Sequence, residues 1–130
     1  MNGTLILDCE GLSKAVLDDR WVMSRLDEAW ADDWRVVASA ATLVEARDPR
    51  MSQARFDWAL SRIVVEPVTK PLARVASRLL GDLRLHGHRH AIDSMVAATA
   101  LAAAAPRILF TSDPNDMNKL CGKNVRVVGI

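Results

Sequence analysis

Five short apolar runs punctuate the chain: TLILD (4–8), RVVAS (35–39), IVVEPV (63–68), RILFTS (107–112) and VRVVGI (125–130). Each has strand length and none alternates strictly with polar residues, which is the pattern of strands buried on both faces of a sheet. The first is bounded by a turn signal at Glu10-Gly11. Between the runs the apolar positions recur at helical spacing, in SKAVLDD, RWVMSRLDEAWADD, AATLVEAR (stopped by Asp48-Pro49) and MSQARFDWALSR. The clearest helical pattern is PLARVASRLLGDLRLHG. There Leu72, Val75, Ala76, Leu79, Leu80 and Leu83 share one face, Arg74, Ser77, Arg78 and Asp82 share the other, and Gly87 is the predicted stop. RHAIDSMVAATALAAAA (89–105) predicts a helix begun near His90 and extended by the alanine tract at 102–105. PNDMNKLCG predicts a last short helix, with Pro114 early and Gly122 past its end.

Strands that alternate with helices and carry no hairpin signal imply crossover connections. The expected fold class is therefore α/β, a three-layer α/β/α sandwich around a mostly parallel sheet of about five strands. With 130 residues, half of them apolar, the chain is expected to form a single domain over residues 1–130. In such sheets ligands bind outside the carboxyl ends of the strands, so chemistry is to be sought there.

Composition narrows the function classes. No apolar stretch reaches the length of a membrane span, and MNGTLILDCEG lacks the basic and apolar regions of a signal peptide, so a soluble, cytoplasmic protein is expected, with no membrane partner. Cys9 and Cys121 form no CxxC pair, which argues against a zinc knuckle or a disulfide framework, and both are expected to be reduced and partly buried. A formal net charge of +1 provides no global field for nucleic acid. Locally, acids dominate from Asp18 to Asp33 and bases from Lys70 to His90, which fits either solvated helix faces or a phosphate-attracting patch.

The acids are more informative. Asp8 is read as the last residue of the first strand, and Asp113 follows RILFTS in the same way. Glu45 lies on the short helix after the second strand, and Asp93 in the first turn of the long helix that leads into the fourth. Each has an ordinary explanation. Asp113 with Pro114 and Asp116 fits a helix N-cap, Glu45 fits a solvated helix position, and Asp93 complements the helix dipole. Asp8 is the hardest to explain away, because a buried strand seldom finishes on an acid without a partner for it. If the four converge, each pair about 4 Å apart is repelled by about 4 kcal/mol at an effective dielectric near 20. Either protons are taken up or a cation neutralises the cluster. Oxygen ligands select a hard ion, Mg²⁺ or Mn²⁺, which suits phosphoryl chemistry.

Four segments, LILDCEGLSKAV, VVASAATLVEA, HAIDSMVAATALA and ILFTSDPNDMNKL, resemble in order and spacing the PIN domain, and more narrowly the VapC-type toxin ribonucleases of bacterial toxin–antitoxin pairs. The resemblance spans nearly the whole chain and rests on the four segments together. It implies a PIN-like parallel sheet and an acidic pocket for one or two Mg²⁺ or Mn²⁺ ions. It also implies endonucleolytic cleavage of RNA to products with a 5′-phosphate and a 3′-hydroxyl. By position Asp8, Glu45, Asp93 and Asp113 match the family's four catalytic and metal-binding acids, and Asp116 matches an additional acid of many members. Thr111 matches a hydroxyl residue expected to orient a carboxylate or a metal-bound water by hydrogen bonding. Glu10 departs from the family's usual small polar residue, and it either supports the pocket or faces solvent. The implied partners are an RNA substrate, a cognate antitoxin whose carboxy-terminal segment occupies the pocket, and a second copy of the chain. Lys14, Arg84 and Arg89 are candidate RNA contacts.

Two other classes compete with a nuclease. A receiver-type phospho-acceptor domain is also a small acidic α/β sandwich, but it wants an aspartate ending the third strand, where Glu66 stands, and a lysine after the last. A non-catalytic PIN-fold binding module would not need a full set of acids. HGHRH (86–90) is a transition-metal motif only if extended and completed by other ligands, and otherwise a polar turn between helices. Trp21, Met23, Leu26, Trp30 and Trp34 recur near helical spacing and read as core, with some reserved for a groove or dimer surface.

Overall fold

In the computed structural model, which describes residues 2–130, all five apolar runs form strands. They are β1 (Thr4–Leu7), β2 (Arg35–Ser39), β3 (Val64–Glu66), β4 (Arg107–Thr111) and β5 (Arg126–Gly129), and every pairing is parallel. The strand order is β3-β2-β1-β4-β5. The helices are α1 (Cys9–Val16), α2 (Arg20–Ala31), α3 (Thr42–Glu45), α4 (Gln53–Arg62), α5 (Lys70–Leu83), α6 (Gly87–Ala102) and α7 (Pro114–Cys121), with a short 3-10 turn at Gly122–Asn124. The expected α/β/α class is the observed one.

Alternate residues of the strands build two cores. Leu5, Leu7, Val36, Ala38 and Phe110 pack against Leu12, Val16, Val22, Leu26, Phe56 and Ala59 of α1, α2 and α4. Ile6 and Leu109 point the opposite way and pack against Val96, Ala97, Ala100, Met117 and Leu120 of α6 and α7, with Leu79 and Leu80 of α5 closing the edge. A period of two along each strand thus sends consecutive apolar side chains into opposite layers, which is why the runs read as continuous. The tryptophan-rich helix behaves mostly as expected: Leu26 is buried and Met23, Trp30 and Trp34 pack on the first core. Trp21 instead is 46% exposed and stacks on Phe110, with ring centroids 5.2 Å apart.

Several boundaries differ from the expectation, each for a local reason. β1 ends at Leu7, because Asp8 is already the N-cap of α1. Glu10-Gly11 is therefore inside the first turn of α1 rather than a chain reversal. The α5 helix stops at Leu83, where Arg84 adopts the left-handed conformation (φ 55°). Its N–H donates to the Gly81 carbonyl at 3.1 Å and that of Leu85 to Leu80 at 2.9 Å, a Schellman ending built without glycine. Gly87, the predicted stop, instead begins α6. That helix ends at Ala102, so the tract Ala103–Ala105 leads out of the helix and does not extend it.

Two long-range contacts set how the layers sit. Arg55 of α4 stacks on Trp58 at 4.0 Å and donates to the Val16 and Ala15 carbonyls, both at 3.0 Å, fastening α4 to the end of α1. At the opposite edge of the sheet Gly3 is squeezed between the Pro106 carbonyl and the Trp34 ring, where a Cβ would come within 2.7 Å of ring carbons. Gly3→Ala is expected to lower the urea unfolding free energy by about 1–3 kcal/mol, as overpacking does elsewhere. An unchanged midpoint would show that both the Pro106 carbonyl and the Trp34 ring can move aside.

Candidate metal centre

The strand order reverses at β1: the chain builds β2 and β3 on one side of it, then β4 and β5 on the other. In sheets of this kind ligands bind in the crevice where the connections leaving the carboxyl ends of neighbouring strands diverge, here those of β1 and β4. Asp8 lies there, 5% exposed. Its Oδ1 accepts from the Gly11 N–H at 2.8 Å and its Oδ2 from the Ser112 N–H at 3.0 Å. One carboxylate thus caps α1 and clamps the segment leaving β4, and its oxygens retain further lone pairs for a ligand.

The other acids reach the crevice on separate elements. Asp113 is the N-cap of α7, its Oδ1 accepting from the Asp116 N–H at 3.3 Å. It therefore has the helix-capping role that was one of its two readings, and it stands at the crevice as well. Buried Thr111 accepts from the Asp113 N–H through its Oγ1 at 3.0 Å. The hydroxyl thus fixes the backbone that carries the carboxylate, rather than binding a carboxylate directly. Glu45 is exposed at the end of α3. That short helix is anchored by the Thr42 hydroxyl, which donates to Ser39 O at 2.7 Å, and by the Ser13 hydroxyl, which donates to Ala46 O at 2.8 Å. Asp93 is the seventh residue of α6, not part of its first turn. Complementing the free N–H groups at the helix start no longer explains it, since that effect fades beyond the first turn.

The electrostatics agree with convergence. The Asp93 carboxyl is pushed up to about 6, first by burial and then by the charges of Asp113, Asp8 and Glu45, with His90 opposing them. Burial likewise raises the Cys9 thiol, aided by the charge of Glu45, a hydrogen bond with it, and the charges of Asp8 and Asp93. Asp93 therefore feels the other three acids singled out in the sequence. Among the described residues none of the four is ion-paired to a lysine or arginine. Carboxylate oxygens gathered without compensating bases suit a hard divalent cation.

Two positions change meaning. Asp116, in the first turn of α7, has an oxygen 3.7 Å from Nδ1 of His90. His90, Asp93 and Asp116 each offer a ligand atom within 4.8 Å of the other two. HGHRH is thus not a polar turn between helices: its last residue is helical and reaches the acids. Glu10 is exposed in the first turn of α1, near enough to the Arg50 guanidinium to raise it. Both cysteines are free, Cys121 buried and Cys9 half-buried beside Glu45.

Compared with known proteins, the sequence matches no family model and no curated sequence. The backbone does find a match. A chain of the VapBC2 complex from Rickettsia felis, solved bound to a DNA fragment from their promoter, superposes with a TM-score of 0.73. The alignment covers 98% of each chain at 16% sequence identity. The fold is PIN-like. At that identity the likeness extends to the arrangement of elements, and the PIN-like frame is what delivers Asp8, Glu45, Asp93 and Asp113 to one sheet edge. No helix among the described residues is long and apolar enough to cross a membrane.

Proposed function

We propose that this protein is an endoribonuclease dependent on Mg²⁺ or Mn²⁺, and the toxin of a toxin–antitoxin pair. The observation that carries this reading is the meeting of Asp8, Glu45, Asp93 and Asp113 at the carboxyl edge of the sheet, close enough for three of them to raise the fourth. These four, with Asp116, would hold the cation. When bound, such an ion polarises a phosphodiester and lowers the pKa of adjacent water.

The chain's own groups do the rest. The Gly11 and Ser112 amides fix the Asp8 carboxylate, so its free lone pairs point in a set direction without reorganisation at each turnover. Thr111 does the same for the backbone of Asp113. Asp93 holds a proton in mild acid and gives it up near neutrality, so the site gains its full negative charge only there. Lys14 at the end of α1, Arg84 at the end of α5 and Arg89 in the first turn of α6 are the bases proposed to receive RNA phosphates. Recognition would rest on single-stranded loops and shape. The proposed setting is the cytoplasm, with residues 1–130 acting as one domain. Its proposed partners are an antitoxin, whose carboxy-terminal segment would bring a basic side chain to the acids, and a second copy of the chain.

The test incubates the purified chain with structured RNAs and Mg²⁺ or Mn²⁺, beside Asp8→Asn and Asp93→Asn. Each substitution is expected to reduce cleavage by about 10²–10³-fold, the scale on which removing one electrostatic group slows other enzymes. Cleavage that persists in chelator, or unchanged in both variants, ends the assignment.

A further inference from the structure

The histidines of the HGHRH segment are left unused by the proposed function, and the helix geometry gives the last of them a place. Because α6 begins at Gly87, His90 and Asp93 lie three residues apart inside one helix and share a face. The first turn of α7 brings Asp116 alongside, and the three ligand atoms lie within 4.8 Å of one another. The His90 and Asp116 side chains are 13% and 25% exposed, so neither is a freely swinging surface group. Their 3.7 Å separation is too wide for a hydrogen bond between them. Neighbouring ligands of one octahedral ion sit about 3 Å apart and opposed ones about 4.2 Å apart, for bonds of about 2.1 Å. Small side-chain adjustments would close the three onto a single ion.

The nitrogen matters for which ion that is. Carboxylate and water ligands suit Mg²⁺, whereas an imidazole nitrogen moves a site toward first-row transition ions. Neutral imidazole donates a lone pair, and Asp93 with Asp116 supplies the negative charge that the ion offsets. We propose that His90, Asp93 and Asp116 form a mixed nitrogen and oxygen site that binds a first-row transition ion, Mn²⁺ in the first instance, in preference to Mg²⁺. The proposal rests on the reading of the acid cluster as a divalent-cation site and adds an imidazole to it, a type of group that the four-acid set does not include.

Calorimetric titration of the metal-stripped protein with Mn²⁺ and with Mg²⁺, and pulsed electron paramagnetic resonance of the Mn²⁺ complex, test it directly. The expected results are a Mn²⁺ dissociation constant at least about tenfold below that for Mg²⁺, and a nitrogen coupling from the imidazole. His90→Gln should remove the coupling and weaken Mn²⁺ by about 10–100-fold, the scale of losing an outer-sphere partner or more, with Mg²⁺ changed less than about twofold. The resonance experiment on the unaltered chain needs no variant, so it decides the matter even if His90→Gln folds poorly. Mn²⁺ bound without nitrogen coupling, or equal affinity for the two ions, overturns the proposal and leaves a metal-dependent nuclease standing. If neither ion binds, both readings fall.

Discussion

Asp93→Asn should melt at a higher temperature than the unaltered protein at pH 7 in chelator, even as it loses RNA cleavage. The folded carboxyl sits at about 6 against an ordinary value of 3.8, so between those values the native state holds a proton that the unfolded chain has released. Stability then falls as pH rises from about 4 to about 6, is flat above that window, and carries no such penalty below it. The full gap corresponds to about 3 kcal/mol, and solvent screening of a half-exposed group reduces this to about 1–2 kcal/mol. Asparagine keeps the shape and removes the charge, so the variant should gain about 4 °C or more and lose most of the pH dependence in that window. Saturating Mg²⁺ or Mn²⁺ should reverse the order, because only the unaltered site gains binding energy from the ion. Thermal melts from pH 4 to 8, with and without cation, check both signs. A variant that melts lower in chelator would mean that Asp93 is not repelled by its neighbours.

Asp8→Ala is expected to act in the opposite direction, lowering the urea unfolding free energy by about 2–4 kcal/mol in the same metal-free buffer. Two backbone N–H groups, the buried one of Gly11 and the partly buried one of Ser112, lose their acceptor at once. An N-cap is worth about 1 kcal/mol, and an amide left without its charged partner costs about 1–3 kcal/mol more. Asp8→Asn keeps one acceptor oxygen and should cost less than half as much, while removing the same negative charge. If alanine and asparagine prove equally mild, the carboxylate is not the clamp between α1 and the segment after β4. The contrast between Asp8 and Asp93 separates two jobs within one acidic cluster: one carboxylate holds the fold together and the other strains it.

The strands were legible because burial on both faces leaves an unbroken apolar run, and RVVAS matches β2 residue for residue. β3 is shorter than IVVEPV because Pro67, which has no N–H to donate, follows Glu66 directly. The start of α6 was not legible, since His86 caps it with no side-chain hydrogen bond and no Ser, Thr, Asp or Asn marks the place. That missing signal shifted Asp93 into the first turn on paper and left His90 outside the site. The helical spacing of His90 and Asp93 was the clue available. The four acids were legible through their positions after strands and on the intervening helices. The grip of the Ser112 amide on Asp8 was not, because it joins residues 104 positions apart.

That separation also dictates when the pocket can exist. β1 is central in the sheet, yet its neighbour β4 begins at Arg107, and the second amide on Asp8 comes from Ser112. On the ribosome, a nascent chain still short of Arg107 has three of the four acids and lacks both the neighbouring strand and the Ser112 amide that orients the first. A growing polypeptide of this topology therefore has no complete acid cluster during most of its own translation, and under the proposed function a neutralising partner would have until those residues emerge to arrive.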